Sequence, residues 1–268
     1  MGPGGAGAKR LTRGAYPPGL EVDYSPAALP DGRRFAYIRQ IAGNDFAVQN
    51  QVYVKALSAS PGSLGTPLLP EAVDYKLVGV AASPDGERLV LAAAPPPLEK
   101  PQLFLLDLHG SGMTQLTRGA TAASAPEFSP DGEAIVFTAR TEDSGGLYEI
   151  SVDGSGLRRL TSRRGDGAAS FAPDGRHIAF NRHVGRYKHV FVMRADGSRT
   201  RQLTSGPFID RGPAFSPDGR RIAFSRSGGG RNDDLYSIAA GGSGLRLLYA
   251  SRGALFSDFA PDWAPKPH

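Results

Sequence analysis

The chain contains no cysteine. That excludes disulfides, thiolate metal centres and cysteine nucleophiles. It leaves the redox compartment open, because a thiol-free chain suits a reducing and an oxidising one equally. No run approaches the ~20 consecutive apolar residues that a membrane helix needs. The opening MGPGGAGAKR lacks the apolar segment of a secretory signal, so the chain as written is expected to carry neither a membrane span nor an export signal. Tryptophan occurs once, as Trp263.

Catalytic signatures are missing as well. Without G-x-S-x-G there is no nucleophile elbow of an α/β-hydrolase, and the GSG at 154–156 reads as turn residues. Neither a phosphate-binding GxxxxGK[ST] nor a GxGxxG opening a helix occurs, and Gly228-Gly229-Gly230 falls between two expected strands. Of the five histidines, only His183 and His189, which flank the loop between the second and third strands of one blade, could share a metal site, and a third ligand is not designated. No cofactor is expected.

Glycine and proline, by contrast, are abundant, at 35 and 22 residues. With 40% hydrophobic residues, this describes many short strands joined by tight turns around a buried core. The net charge of +5, from 31 basic against 26 acidic residues, permits an anionic partner without requiring one.

The dominant pattern is a repeat. FSPDG stands at 128–132 and 215–219, FAPDG at 171–175, ASPDG at 82–86, LPDG at 29–32 and FAPDW at 259–263. Measured at Asp31, Asp85, Asp131, Asp174, Asp218 and Asp262, the spacings are 54, 46, 43, 44 and 44. A period near 44 demands a repeat architecture. Proline pre-sets φ, the aspartate bonds nearby amides and glycine takes positive φ, so each PDG is expected to turn a hairpin, with these aspartates structural.

After each turn comes a strand with period two, in which Ile222 and Phe224 share one face and Ala223 and Ser225 the other. Third strands are expected at 51–57, 102–108, 146–152, 189–195 and 234–240. Fourth strands ending in Leu-Thr are expected at 113–117, 157–161 and 200–204, with a variant at 245–249. Four-stranded sheets covered on both faces and repeated in tandem are the blades of a β-propeller.

The run F-[SA]-P-D-G-x-x-I-[AV]-F, then a strand with an aromatic, then D-G-x-x-x-x-x-L-T resembles the WD40-like or PD40 repeat of TolB-like six-bladed propellers, over nearly the whole chain. True WD40 is disfavoured, because the Gly-His and Trp-Asp pairs are missing. The expected organisation is one all-β domain over 1–268. Residues 1–13 give an outer strand, 14–70, 71–117, 118–161, 162–204 and 205–250 give blades, and 251–268 give an inner strand that joins the first. Six inner and outer strands but five middle pairs leave the closing blade incomplete. The natural reading frame is therefore expected to extend upstream by roughly 25 to 30 residues, scaled from the repeat period. The alternative is a five-bladed ring with loosely attached ends.

The PDG-side turns are short and uniform, whereas the second-to-third loops and blade connections are long and irregular. Loops held by a rigid scaffold are where binding resides. On that rim lie Arg163, Arg164, Arg182, His183, Arg186, Lys188, His189, Asp210, Arg211, Arg231, Asp166, Asp233 and Asp234. Of these, Arg163, Arg164, Arg182, His183, Arg186, His189, Asp210 and Arg211 are the candidate binding residues. Mixed charge of this kind suits a protein or peptide partner better than nucleic acid.

The resemblance implies a non-enzymatic binding module that works in the periplasm or outside the cell with cell-envelope partners such as the peptidoglycan-associated lipoprotein. The separate N-terminal α/β domain of TolB proteins has no counterpart in this chain, so only the propeller's role carries over. A monomer is expected unless another chain completes the closing blade. The alternative is a propeller lyase or hydrolase, or the detached propeller of a peptidase, with its site at the central channel.

Overall fold

The computed structural model describes residues 21–42, 48–69, 75–110, 112–119, 121–141, 144–228 and 233–250. Within them the chain forms five four-stranded antiparallel blades, each built in sequence order from the innermost strand outward. Blade 1 is β1 (Glu21–Ala28), β2 (Arg34–Ala42), β3 (Val48–Ala56) and β4 (Thr66–Pro67). Blade 2 follows as β5 (Lys76–Ala82), β6 (Arg88–Ala94), β7 (Gln102–Asp107) and β8 (Met113–Gln115). Blade 3 is β9 (Ala122–Phe128), β10 (Ala134–Arg140), β11 (Gly145–Ser151) and β12 (Arg158–Arg159). Blade 4 is β13 (Gly167–Phe171), β14 (His177–Val184), β15 (Tyr187–Arg194) and β16 (Arg201–Gln202). Blade 5 is β17 (Ile209–Phe215), β18 (Arg221–Ser227), β19 (Asp234–Ala239) and β20 (Arg246–Tyr249). A parallel bridge, Lys188 to Ile209, joins blades 4 and 5 into one sheet. The strands expected at the two ends of the chain, with Asp262 and Trp263, and the rim residue Arg231 lie outside the described residues.

The core is a series of slabs between neighbouring blades, a direct result of the period-two pattern. Leu89 and Leu91 of β6 point back to Ile38 of blade 1 and Val52 beside it, while Val90 and Ala92 point forward to Ile135 and Phe137 of blade 3. The alternation repeats where Ile178 and Phe180 meet Val136, and where Ala179 and Val190 meet Ile222 and Phe224. Each fully buried Leu, Ile or Phe contributes about 1.5–3 kcal/mol. The phenylalanines of the repeated motif, Phe128, Phe171 and Phe215, are buried in these slabs.

Each inner strand carries a bulge against its neighbour. Six residues before the PDG aspartate, Ser25, Ala125, Ala168 and Gly212 have φ between 46° and 55°. Left-handed backbone costs non-glycine residues about 1–2 kcal/mol, and its recurrence shows that the scaffold imposes it. The bulge bends the strand as it passes the central cavity.

The outer strands are shorter than the repeat suggests, because at Leu-Thr the leucine N–H still donates to the third-strand carbonyl, at 2.8 Å for Leu116, Leu160 and Leu203, but among the described residues no backbone carbonyl returns the bond. The Thr117, Thr161 and Thr204 hydroxyls instead accept the amide protons of Leu103 (2.9 Å), Leu147 (3.0 Å) and Val190 (2.9 Å) on the third strand. A side chain thus takes over where the strand ends. In blade 1 Leu69 holds the threonine position, and Gln51 substitutes by accepting from both Val52 N–H (2.9 Å) and Leu69 N–H (3.0 Å).

Candidate functional site

Turn geometry consumes the aspartates on the uniform face. Asp31, Asp85, Asp131, Asp174 and Asp218 each accept a backbone N–H two residues on, at 2.8–3.1 Å. The following glycine closes the turn at φ between 61° and 74°. Where serine precedes the proline, its hydroxyl bonds the carboxylate as well, as in Ser129 to Asp131 and Ser216 to Asp218 (2.6 Å). The Ser83 hydroxyl and the Glu87 amide hold the Asp85 carboxyl below its ordinary range, and Ser129 and Glu133 do the same for Asp131. These carboxylates are occupied by their own turns.

On the opposite face the irregular loops carry a different device. Asp23 meets Arg39, Asp166 meets Arg182 and Asp210 meets Arg226, each through two nearly parallel N–H···O bonds of 2.6–2.9 Å. In every pair the aspartate lies near the start of an inner strand and the arginine sixteen residues on, in the second half of the next strand. Both members are largely buried, with side-chain exposure of 14% at Arg182 and 0% at Asp166 and Asp210. Aromatic rings complete the enclosure. The Arg182 guanidinium lies 5.1 Å from the ring centres of Phe180 and Phe191, and that of Arg226 lies 4.5 Å from Phe208. At the same ladder position blades 2 and 3 hold the apolar pairs Leu77–Ala93 and Ala139–Ala123.

Asp210 gathers further partners. The Thr204 hydroxyl donates to its Oδ2 at 2.5 Å, and the buried His189 brings Nδ1 to 3.7 Å from the same oxygen. Among the described residues His189 Nδ1 has no hydrogen-bond partner. The group ties blade 4, which supplies His189 and Thr204, to Asp210 and Arg226 of blade 5.

Three of the eight expected rim residues, Arg182, His189 and Asp210, are therefore not surface groups. Placing them on a binding rim passes over the sixteen-residue Asp-to-Arg spacing, a signal present in the sequence three times. Arg163, Arg164, His183 and Arg186 are exposed, and Arg211 is half-buried beside Asp233 at 3.3 Å.

Two residues outside that set of eight, Lys188 and Arg140, join this side of the molecule. His183 and Lys188 face each other across the β14–β15 hairpin, and Lys188 is registered with Ile209, two residues from Arg211. Arg140 ends β10 opposite Gly145, where an added Cβ would lie 3.3 Å from Arg164. Gly165 packs on His183 so closely that a Cβ there would come within 2.9 Å of it. Burial, then Arg211 and Arg140, pull Lys188 below its ordinary value. Burial, then Lys188, Arg140 and Arg211, do the same to His183.

The five inner strands also surround a central cavity of about 380 Å³. Among the described residues its wall is mainly Ala, Pro and Ser with Phe128, Phe171 and Phe215, Glu127 is the charged residue, and Glu127 accepts the Phe171 N–H at 2.9 Å. Among the described residues no three His, Asp or Glu side chains assemble as metal ligands, and no helix is long and apolar enough to cross a membrane.

Comparison with known proteins agrees with this architecture. A putative TolB from Agrobacterium tumefaciens superposes with a TM-score of 0.76 at 20% identity, covering 92% of this chain and 87% of that one. TolB from Acinetobacter baumannii gives 0.72 at 22% identity, covering 92% of this chain and 58% of that one. A dipeptidyl-peptidase 5 from Porphyromonas endodontalis is 31% identical over 90 residues, which make up 32% of this chain and 13% of the peptidase. At these identities the structures speak for the fold, and the peptidase match is confined to a short stretch. The family model described as the TolB beta propeller domain matches residues 18–266, so blades, bulged inner strands and PDG turns together are those of a member of the TolB β-propeller (PD40) family.

Proposed function

We propose that this propeller is a non-enzymatic binding module for a protein or peptide, that its irregular face makes the contact, and that it works in the cell envelope. One contrast carries the reading. Uniform-face aspartates are spent on their own turns, whereas Arg163, Arg164, His183 and Arg186 stand exposed on the irregular face. A rigid scaffold that holds polar side chains on variable loops is the usual form of a binding rim. Two of the rim's acids, Asp166 and Asp210, are turned inward to Arg182 and Arg226.

The test is a capture experiment from envelope extract of the native host. The parent protein is compared with Arg163→Glu/Arg164→Glu/Arg186→Glu and with the uniform-face control Arg176→Glu/Arg220→Glu. Loss of the captured proteins in the first variant alone is expected. Equal capture by all three forms would remove the irregular face from the function.

A further inference from the structure

Among the described residues, cations across the irregular face of blades 3, 4 and 5 are brought together with one ion pair between them and an acid. Arg140 and Arg164 lie at the blade 3 end, His183 and Lys188 face each other on blade 4, and Arg211 stands at the start of blade 5. Among the described residues the ion pair in this row is Arg211 with Asp233 at 3.3 Å, while Arg140, Arg164 and Lys188 have none. The buried carboxylates of Asp166 and Asp210 are already taken, since each holds a bidentate arginine. Lys188, half-buried among the exposed Arg140, Arg164 and His183 and the half-buried Arg211, gains from a ligand that carries the opposite charge.

We infer that this row is a subsite for an acidic peptide segment, whose carboxylates are taken by Lys188, Arg211, Arg140 and Arg164. The inference rests on the binding reading above and gives that partner its chemistry. The cations are spread over three successive blades, so single carboxylates spaced along an extended segment match them better than one compact anion. Nucleic acid is a poorer match, because single-strand binding uses free aromatic faces on which bases stack. The nearby aromatics Tyr187 and Phe208 already lie against Arg186 (5.4 Å) and Arg226 (4.5 Å).

The experiment measures fluorescence anisotropy of a labelled hexaglutamate peptide with the intact chain, beside a hexaglutamine peptide of equal length. Hexaglutamate is expected to bind and hexaglutamine not to. Lys188→Ala/Arg211→Ala is expected to weaken binding at least tenfold, Lys188→Arg to retain it, and Arg176→Ala/Arg220→Ala on the other face to leave it unchanged. Because Arg211 also touches Ser227 and Asp233, exposed Arg164→Ala serves as a second variant, with a thermal melt confirming that each variant folds. Equal binding of both peptides, or unchanged affinity in Lys188→Ala/Arg211→Ala and Arg164→Ala, overturns the inference. So does displacement of the peptide by an oligothymidylate at lower concentration than by unlabelled hexaglutamate. If these fail while the rim variants still lose their captured proteins, the acidic ligand is wrong and the binding face stands.

Discussion

Asp210 and Arg226 close a bidentate ion pair at 2.6 and 2.9 Å with almost no exposure to water. Removing one partner leaves the other buried and uncompensated, which costs about 3–5 kcal/mol. Replacing both by the apolar pair of blade 2, Leu77 and Ala93, removes the problem together with the charges. Arg226→Ala is therefore expected to destabilise more than Asp210→Leu/Arg226→Ala, in urea unfolding with an unchanged m-value. If the double variant is the less stable, the pair contributes more than the desolvation it suffers.

The threonines beyond the outer strands admit a similar comparison. Thr161→Val keeps the shape and leaves the buried Leu147 N–H without an acceptor, for about 1–3 kcal/mol. Gln51→Leu strips two amides, those of Val52 and Leu69, and is expected to cost more. Thermal melts of the two variants decide the order.

These two devices mark how far the sequence is readable. PDG turns, strand alternation and blade order are legible because each is local: a turn needs its proline and glycine, and a strand needs its period of two. The Asp–Arg pairs are formed by residues sixteen apart on different strands. They emerge only when the repeats are aligned on the PDG aspartate, which turns Arg182 and Asp210 from rim groups into clamps. Leu-Thr misleads for the opposite reason. It has the composition of a strand end, yet the hydroxyl of Thr161 or Thr204 captures the amide that a longer ladder would have used.

Acid sensitivity follows from the turns. The folded state holds the Asp85 and Asp131 carboxyls below the ordinary value of 3.8, through Ser83 and Ser129 first and the Glu87 and Glu133 amides next. The unfolded chain therefore binds protons more readily. The stabilisation is present above about pH 3.8 and is lost as pH falls below it through the lowered values. Ser83→Ala/Ser129→Ala is expected to flatten the fall of Tm in that window while changing its slope little at neutral pH. An unaltered acid limb would show that the serine hydroxyls do not set it.

Lys188 offers the sharpest separation of stability from function. Burial, with Arg211 and Arg140 nearby, disfavours its charged form, so folding works against this ammonium group. The sign is opposite to that of the turn aspartates. The unfolded chain holds the Lys188 proton more tightly, so the penalty is present at neutral pH and is relieved as pH rises through the lowered value toward the ordinary 10.5. Lys188→Met keeps an unbranched apolar stem and deletes the charge. Its Tm is expected to equal or exceed the parent's at pH 7, with the difference shrinking as pH rises, while hexaglutamate affinity drops. That combination is the signature of a residue retained for binding at some cost in stability. A variant that loses stability and keeps its affinity would instead make Lys188 part of the scaffold.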